Sequence, residues 1–421
     1  MVTDDTHRAI EAVFRIERAR LIGGLARIVR DVDQAEELAQ DALVTALAQW
    51  PRSGIPDRPG AWLMAAARRR AIDAIRRNRM RERKHVEIAR DLDGGQSDDA
   101  RDMEQAMDDD IGDELLGLIF TACHPIVSAD ARAALTLRLV AGLTVEEIAR
   151  AFLSNPATIN QRIVRAKRTI ADAGLAFEVP RGADRDARLA SVLGVVYLIF
   201  NEGYAATSGD DVVRPSLCQE AQRLGRILAG LMPGEPEVFG LLALMEIQAS
   251  RLSARVAPDG SPIMLPDQNR ARWDQLLIHR GLTALDQAET LAQGSDGAYA
   301  LQAALAACHA RARRPEDTDW LTIAALYDRL RDVMPSPVVD LNRAIAHSMA
   351  HGPEAGLRLV DAIADAAALR NYAPLPAARG DFLFRAGRRD EARDEFVAAA
   401  ALSANERERA FLLARAAACA A

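Results

Sequence analysis

Alternating runs of Val, Ile and Thr are nearly absent from this chain, and aromatic residues make up only 5% of it. Both shortages exclude a β-sandwich or barrel, whose strands announce themselves by period-two alternation of β-branched and aromatic residues. An all-α class is what remains. Cysteine is equally sparse. Cys123, Cys218, Cys308 and Cys419 stand alone, with no CxxC pair, so neither a disulfide framework nor a zinc site is expected. His124 and His309 each follow a cysteine, but neighbouring residues on a helix point in different directions, and no metal or other cofactor is expected there. The chain carries no GxSxG, HExxH or P-loop pattern, which removes the commonest catalytic signatures. Its longest apolar run, Val192 to Phe200, is too short to span a bilayer. The opening MVTDDTHR lacks the charged-then-apolar order of a signal peptide, so a cytoplasmic location and no membrane partner are expected.

What the chain does have is charge, sharply segregated. At 421 residues it is long enough for two or three domains, and its net charge of −7 hides opposed segments. From Arg68 to Lys84 nine basic residues face two acidic ones, Asp73 and Glu82, a local net of +7. Ala71, Ile72 and Ile75 keep an apolar stripe through it, as a docked helix with a basic outer face would. Such density repels itself unless a polyanion or an acidic surface neutralises it. Residues 91–114 hold eleven acids against the single Arg101, and Asp93-Gly94-Gly95-Gln96-Ser97-Asp98 reads as a flexible linker.

The most specific stretch is Leu143 to Ile170. Thr144 and Glu147 have the spacing of a capping box, in which hydroxyl and carboxylate each satisfy an orphan N–H at a helix start. Ile148, Ala149 and Phe152 supply an inward face. Ser154-Asn155-Pro156 breaks that helix and begins another, with Ser154 or Asn155 as cap and Pro156 in the first turn. On the second helix Ile159, Ile163, Ala166 and Ile170 fall at helical spacing. That leaves Ala157, Thr158, Asn160, Gln161, Arg165 and Arg168 on or near the solvent side. Amides and guanidiniums on such a face suit a major-groove reader, because Arg matches guanine and Asn or Gln matches adenine bidentately. An ordinary helical hairpin with a solvated basic end fits the same pattern.

Three motifs in one order resemble a known family, the extracytoplasmic-function sigma factors. Asp33-Gln34-Ala35-Glu36-Glu37-Leu38-Ala39-Gln40-Asp41-Ala42-Leu43 is similar to their DAEELVQDAF segment. Trp62 to Arg77 resembles WLxxIARNRAIDxLRR, and Thr158 to Lys167 resembles TVKSRLxRAR. The resemblance covers about the first 175 residues. It implies that Asp33, Glu36, Glu37, Gln40 and Asp41 grip the clamp of core RNA polymerase. It assigns Trp62, Arg68, Arg69, Arg76 and Arg77 to the melted minus-ten element of promoter DNA. The minus-thirty-five element falls to Thr158, Asn160, Gln161, Arg162, Arg165, Lys167 and Arg168. Asn160-Gln161 replaces the commoner Lys-Ser pair, which bears on the promoter sequence and not on the role. The implied domains are 1–90 for polymerase and minus-ten binding, 91–112 as acidic linker, and 113–178 as the helix–turn–helix domain. In the resemblance the linker enters the polymerase's RNA-exit path.

Residues 179–421 form a large helical extension. Pro180-Arg181-Gly182 reads as a hinge before it. Its final hairpin resembles a tetratricopeptide repeat, with Gly380, Leu383, Gly387, Ala392, Phe396 and Ala399 at the small and aromatic positions. A weaker match runs from Leu341 to Ala362, and an irregular bundle is the alternative. Phe200-Asn201-Glu202-Gly203-Tyr204 and Asp267-Gln268-Asn269-Arg270-Ala271-Arg272-Trp273-Asp274 resemble segments of the extension in one subgroup of these factors. That subgroup is associated with small DGPF/YCII-like proteins, which makes such a protein a candidate partner. For Glu202, Asp267 and Arg270 the favoured expectation is buried salt bridges over a ligand pocket. The function expected is therefore a non-enzymatic initiation factor whose extension is an in-chain regulator or scaffold, docked on the sigma half or merely tethered to it. The alternative is a conventional helix–turn–helix regulator with a ligand-sensing or enzymatic C-terminal domain, which leaves the acidic helix at 33–41 without a purpose.

Overall fold

The computed structural model describes residues 2–87, 111–152, 154–204, 213–257, 263–364, 366, 369–403 and 406–420, with side chains at all of these except 2–5, 74, 77–87, 111–113, 407 and 408. Most of the expected acidic linker, 91–110, and the side chain of Arg77 lie outside the described residues. Among the described residues the chain is all α, without a β-strand. It divides into two compact units, Met1–Leu231 and Met232–Ala421.

The first unit begins with α1 (Val2–Val29), α2 (Val32–Ser53) and α3 (Pro59–Glu87), which pack on one another. The Asp31 side chain caps α2 by accepting from the Gln34 N–H at 2.8 Å. Val32, Ala35, Leu38, Ala39, Ala42, Ala46 and Trp50 then recur on its buried side. Gly54, at φ +82°, lets the chain leave the helix while its N–H still reaches the Trp50 carbonyl. The acidic residues of α2 lie off this buried stripe.

Next come α4 (Ile111–Ala122), α5 (Ala129–Leu139), α6 (Val145–Ala151) and α7 (Pro156–Asp172). Helix α4 lies against α1 through an unusually close approach. A Cβ on Gly23 would sit 2.4 Å from the Glu114 carbonyl oxygen, and one on Gly24 would sit 2.8 Å from the Glu114 carboxylate. Glycine inside a helix costs about 1 kcal/mol relative to alanine, and here the missing side chains are the condition for contact.

The unit closes with α8 (Gly182–Tyr204) and α9 (Pro215–Leu231). Its edge at 231 lies beyond the boundary expected at 178, and Pro180-Arg181-Gly182 is followed at once by a helix docked on α4 and α5. Arg188 Nη2 donates to the Phe120 carbonyl at 3.0 Å, and Ser191 Oγ donates to the Cys123 carbonyl at 2.6 Å while receiving from Arg132. Phe177 is buried and Thr121 bonds the Ala176 carbonyl, so the segment before the expected hinge is pinned as well.

The second unit opens with α10 (Pro236–Ala249), α11 (Gln275–Ala292) and α12 (Ala298–Arg311), in mutual contact. The rest is a series of short antiparallel helices: α13 (Trp320–Val333), α14 (Pro337–His351), α15 (Pro353–Asp361), α16 (Pro374–Arg385), α17 (Arg389–Leu402) and α18 (Glu406–Ala418). The repeat-like hairpin is α16–α17. Phe396 fills its centre, 3.1 Å from where a Cβ on Gly380 would stand, and Leu383, Ala392 and Ala399 are fully buried. Gly387 makes the turn at φ +77°. The weaker match is also a hairpin, α14–α15, in the same core.

Truncating Phe396 to Ala is expected to cost the 232–421 unit about 3–5 kcal/mol, the range for emptying a buried aromatic site. The same change at Val397, which is exposed, is expected to cost less than about 1 kcal/mol. Urea unfolding of both variants checks the contrast.

Candidate promoter and polymerase interface

Helix α7 is built as the sequence pattern requires. Thr144 and Glu147 form both halves of the capping box on α6, at 3.1 and 2.8 Å. Between Ser154 and Asn155 the structure selects Asn155 as the cap, accepting from the Ala157 N–H at 2.8 Å. Ile159, Ile163, Ala166 and Ile170 are buried, whereas Ala157, Thr158, Asn160, Gln161, Arg165 and Arg168 are exposed. Phe152 is only half-buried. Arg162 stands 3.5 Å from Asp130, and Arg168 pairs with Asp172 along the helix. Val164, exposed between Asn160 and Arg168, is an apolar member of this face that charge-based reading passes over.

Lys167 does not join that face. Its ammonium donates to Asp33 Oδ1 at 2.6 Å and to Glu36 Oε2, and its side chain is only 12% exposed. Glu36 is also held by Arg18 Nη2 at 2.6 Å and approached by Arg138 Nε at 3.8 Å. Arg18 in turn donates to the Arg138 carbonyl at 2.9 Å. Burial lowers the pKa of Arg18, partly countered by Glu36. The acidic helix is thus engaged at Asp33 and Glu36, of which Glu36 is half-buried, whereas Asp33 stays exposed along with Glu37, Gln40 and Asp41. Asp41 meets Arg70 at 3.1 Å.

On α3, Trp62 is half-buried and packs edge-to-face on Trp50, with ring centroids 5.2 Å apart. Arg69 and Arg76 are exposed. Arg68 is committed to Glu114 of α4 at 2.8 Å. Glu114 is 8% exposed, and burial raises its pKa despite the guanidinium.

The two motifs of the extension resolve differently from each other. Glu202 does form a buried ion pair, with Arg214, a residue outside either motif. Arg214 also donates to the Ala151 carbonyl at 2.9 Å, at the end of α6. Gly203 is required beside it, because a Cβ there would lie 2.8 Å from the Cys218 nitrogen and 2.9 Å from the Arg214 oxygen. In the second unit the expected salt bridges are not what forms. Asp267 is exposed, and Arg270 donates to the carbonyls of His309 and Ala312, at 3.0 and 2.6 Å, and to Thr318 Oγ1. A guanidinium can be satisfied by a ring of carbonyls as well as by a carboxylate. Arg270 and Arg251 both lie over the Trp273 ring, at 5.2 and 5.8 Å, and Asp274 caps α11 through two N–H groups.

Among the described residues no group of three His, Cys, Asp or Glu side chains is placed to hold a metal ion, and no helix is long and apolar enough to cross a membrane. All four cysteines are buried free thiols. A cleft of about 900 Å³ beside α6 and α9 is bordered by Arg15, Arg150 and Arg214 and by Glu147 and Glu220.

Residues 13–81 match sigma-70 region 2, residues 118–170 match sigma-70 region 4, and residues 188–289 match a family of unknown function, DUF6596. An uncharacterized protein of Rhizobium meliloti (strain 1021) is 43% identical over 396 residues, covering 94% of this chain and 92% of that protein. A protein of Mycobacterium tuberculosis described as probable ECF RNA polymerase sigma factor SigI is 28% identical over 173 residues, 41% of this chain and 58% of the relative. No solved structure matches.

Burial, followed by the Arg251 and Arg270 guanidiniums, pushes His309 down to about 4. An unfolded histidine titrates near 6.5, so the unfolded chain binds the proton first. Stability of the 232–421 unit is then complete above pH 6.5 and falls as the pH drops toward 4, by up to about 3 kcal/mol. Denaturant midpoints at pH 7.5 and 4.5 are expected to differ in the native chain, and the difference is expected to shrink in His309→Gln.

Proposed function

This chain belongs to the extracytoplasmic-function sigma factors, with a helical extension behind region 4, and we propose that it binds core RNA polymerase and directs promoter-specific initiation. The carrying observation is the division of α7. Four apolar residues are buried on one side, and Thr158, Asn160, Gln161, Arg165 and Arg168 are offered together on the other. In this reading Asn160 and Gln161 meet base edges, while Arg165 and Arg168 meet phosphates. Arg162 and Lys167 join them once released from Asp130 and from α2.

Helix α2 presents Asp33, Glu37, Gln40 and Asp41 to a basic partner, with Glu36 behind them. Arg69, Arg76 and Arg77, with Trp62 and Arg68, serve the minus-ten strand. Exposed Arg69 and Arg76, on the same helix as the half-buried Trp62, suit a single strand, which is held by charge along the backbone and by stacking. The domain roles follow: 1–90 for polymerase and minus-ten DNA, 91–112 as linker, 113–178 for the minus-thirty-five element, and 179–421 as in-chain regulator or scaffold. The factor is non-enzymatic and acts in the cytoplasm, where the polymerase supplies the chemistry. A conventional repressor or ligand-sensing regulator would leave the acidic face of α2 unexplained.

Reversing Glu37 and Asp41 to Lys is expected to abolish co-purification with core polymerase while the helical circular-dichroism signal stays. Retention of holoenzyme on a sizing column by that variant would remove the polymerase assignment. For DNA, Gln161→Ala is expected to weaken holoenzyme binding to its preferred promoter by about 1–3 kcal/mol and to relax selection at one or two base pairs. Arg165→Ala is expected to weaken all sequences alike and to lower the salt slope by about one. Sequence selection from a randomised pool, read with holoenzyme, separates the two effects.

A further inference from the structure

The segment from Phe200 to Tyr204 lies outside the three proposed binding surfaces, and its contacts converge on Arg214. Phe200 is fully buried and stacks on Tyr204, with ring centroids 5.6 Å apart. Gly203 lets α9 begin against the end of α8, and its carbonyl accepts the Arg214 N–H at 2.6 Å. Glu202 holds the Arg214 guanidinium, whose side chain is 7% exposed. Nη1 of that guanidinium also reaches the Ala151 carbonyl. The last four carbonyls of a helix lack partners within it. In α6, those of Ile148 and Arg150 accept from the Phe152 N–H, and that of Ala149 accepts from the Ser154 N–H. The fourth, Ala151, accepts from Arg214, 63 residues along the chain.

We infer that Arg214 is a positioning residue for promoter reading: fixed by Glu202 and the segment from Phe200 to Tyr204, it pins the end of α6 and so sets the pose in which α7 presents Asn160 and Gln161. The start of the segment matched to a family of unknown function, from residue 188, thereby gains a place in the DNA-reading domain. The inference rests on the proposed function and adds a positioning residue to it.

Helix α6 has seven residues, too few to hold its own end, because short helices depend on contacts from outside. Asn155, the cap of α7, follows Ala151 by four residues, so the pin lies at the turn between the two helices. Helix α7 packs on both α5 and α6. Asn160 and Gln161 stand in the half of α7 nearer the pinned turn, and Arg165 and Arg168 in the far half. A bidentate base contact needs donor and acceptor within about 3.2 Å. An arginine attracts phosphate over about a Debye length, ~8 Å. A loosened turn therefore costs base discrimination first and general DNA affinity last. A cation at the C-terminal end of α6 also meets the negative pole of the helix dipole, so a guanidinium suits this place better than a neutral donor.

The test uses the full chain as holoenzyme with core polymerase. Glu202→Gln combined with Arg214→Gln removes both charges, so no buried charge is left alone. In that variant, affinity for the preferred promoter relative to DNA with a scrambled minus-thirty-five element is expected to fall about tenfold, the worth of one bidentate base contact. Affinity for the scrambled DNA and for core polymerase is expected to stay within about twofold of native, since phosphate contacts and α2 are untouched. Glu202→Gln alone keeps the donor to Ala151 and is expected to keep native discrimination. In the free chain, amide hydrogen exchange over residues 145–160 is expected to quicken in the double variant, with α1 and α2 unchanged. If the glutamines unfold the unit, Glu202→Leu with Arg214→Met replaces the pair by apolar side chains, and the same outcomes are expected of it. Native discrimination in a folded double variant overturns the inference. So does a loss of core-polymerase binding in step with discrimination, which marks a general scaffold and not a pose. If the native holoenzyme shows no promoter preference, the proposed function fails instead. Exchange over 145–160 then still decides the pin: quickened exchange in the double variant supports it, and unchanged exchange overturns it.

Discussion

The arrangement of the first unit depends on how closely two backbones approach. Gly23 and Gly24 leave α1 without side chains where α4 crosses it, and any Cβ there would collide with Glu114. Leu21, Ile22 and Leu25 on α1 and Leu118 and Ile119 on α4 are almost wholly buried around that crossing. Within the same unit Arg18 reaches the Arg138 carbonyl and Lys167 reaches α2, over polar bonds of about 3 Å. Apolar contact sets the distance, and the charges then set which faces meet.

Ion pairs of this kind contribute modestly to stability, because the desolvation of two charges offsets most of their attraction. Their effect is orientational. Glu36 accepts from guanidinium and ammonium groups on different helices, so a small rotation of α2 would lose several partners together. Losing one partner is costly because the others stay partly buried with their charge uncompensated. The knot at Glu36 therefore behaves as a unit, and double-mutant measurements on it will be non-additive.

Much of the architecture was legible in the sequence because it depends on local chemistry. The Thr144–Glu147 box, the Asn155 cap, the buried Ile159–Ile163–Ala166–Ile170 stripe and the Gly380–Phe396 fit all follow from spacing along a single helix or hairpin. What was not legible depends on partners distant in the chain. Lys167 looked like one more cation on a DNA-reading face, and its carboxylates lie some 130 residues earlier. Arg68 looked like a strand contact, and Glu114 looked like the end of an acidic linker. Glu202 was expected in a buried ion pair and forms one, but Arg214 belongs to no recognisable motif. For Arg270 the expectation of a carboxylate failed because carbonyl oxygens are invisible to a reading of side-chain types. Pro180-Arg181-Gly182 has the composition of a boundary, yet Arg188 and Ser191 just beyond it bond into α4.

The bond from Arg214 to the Ala151 carbonyl bears on how such a chain can be recombined. It joins a residue of the extension to the last turn of α6, so the helices after residue 178 are part of the scaffold that supports the DNA reader. A chimera spliced at the end of region 4 would sever this bond along with those made by Arg188 and Ser191, whereas a splice at 231 would carry them intact. In evolutionary terms, α8 and α9 are bound to be inherited together with the helix–turn–helix that they brace.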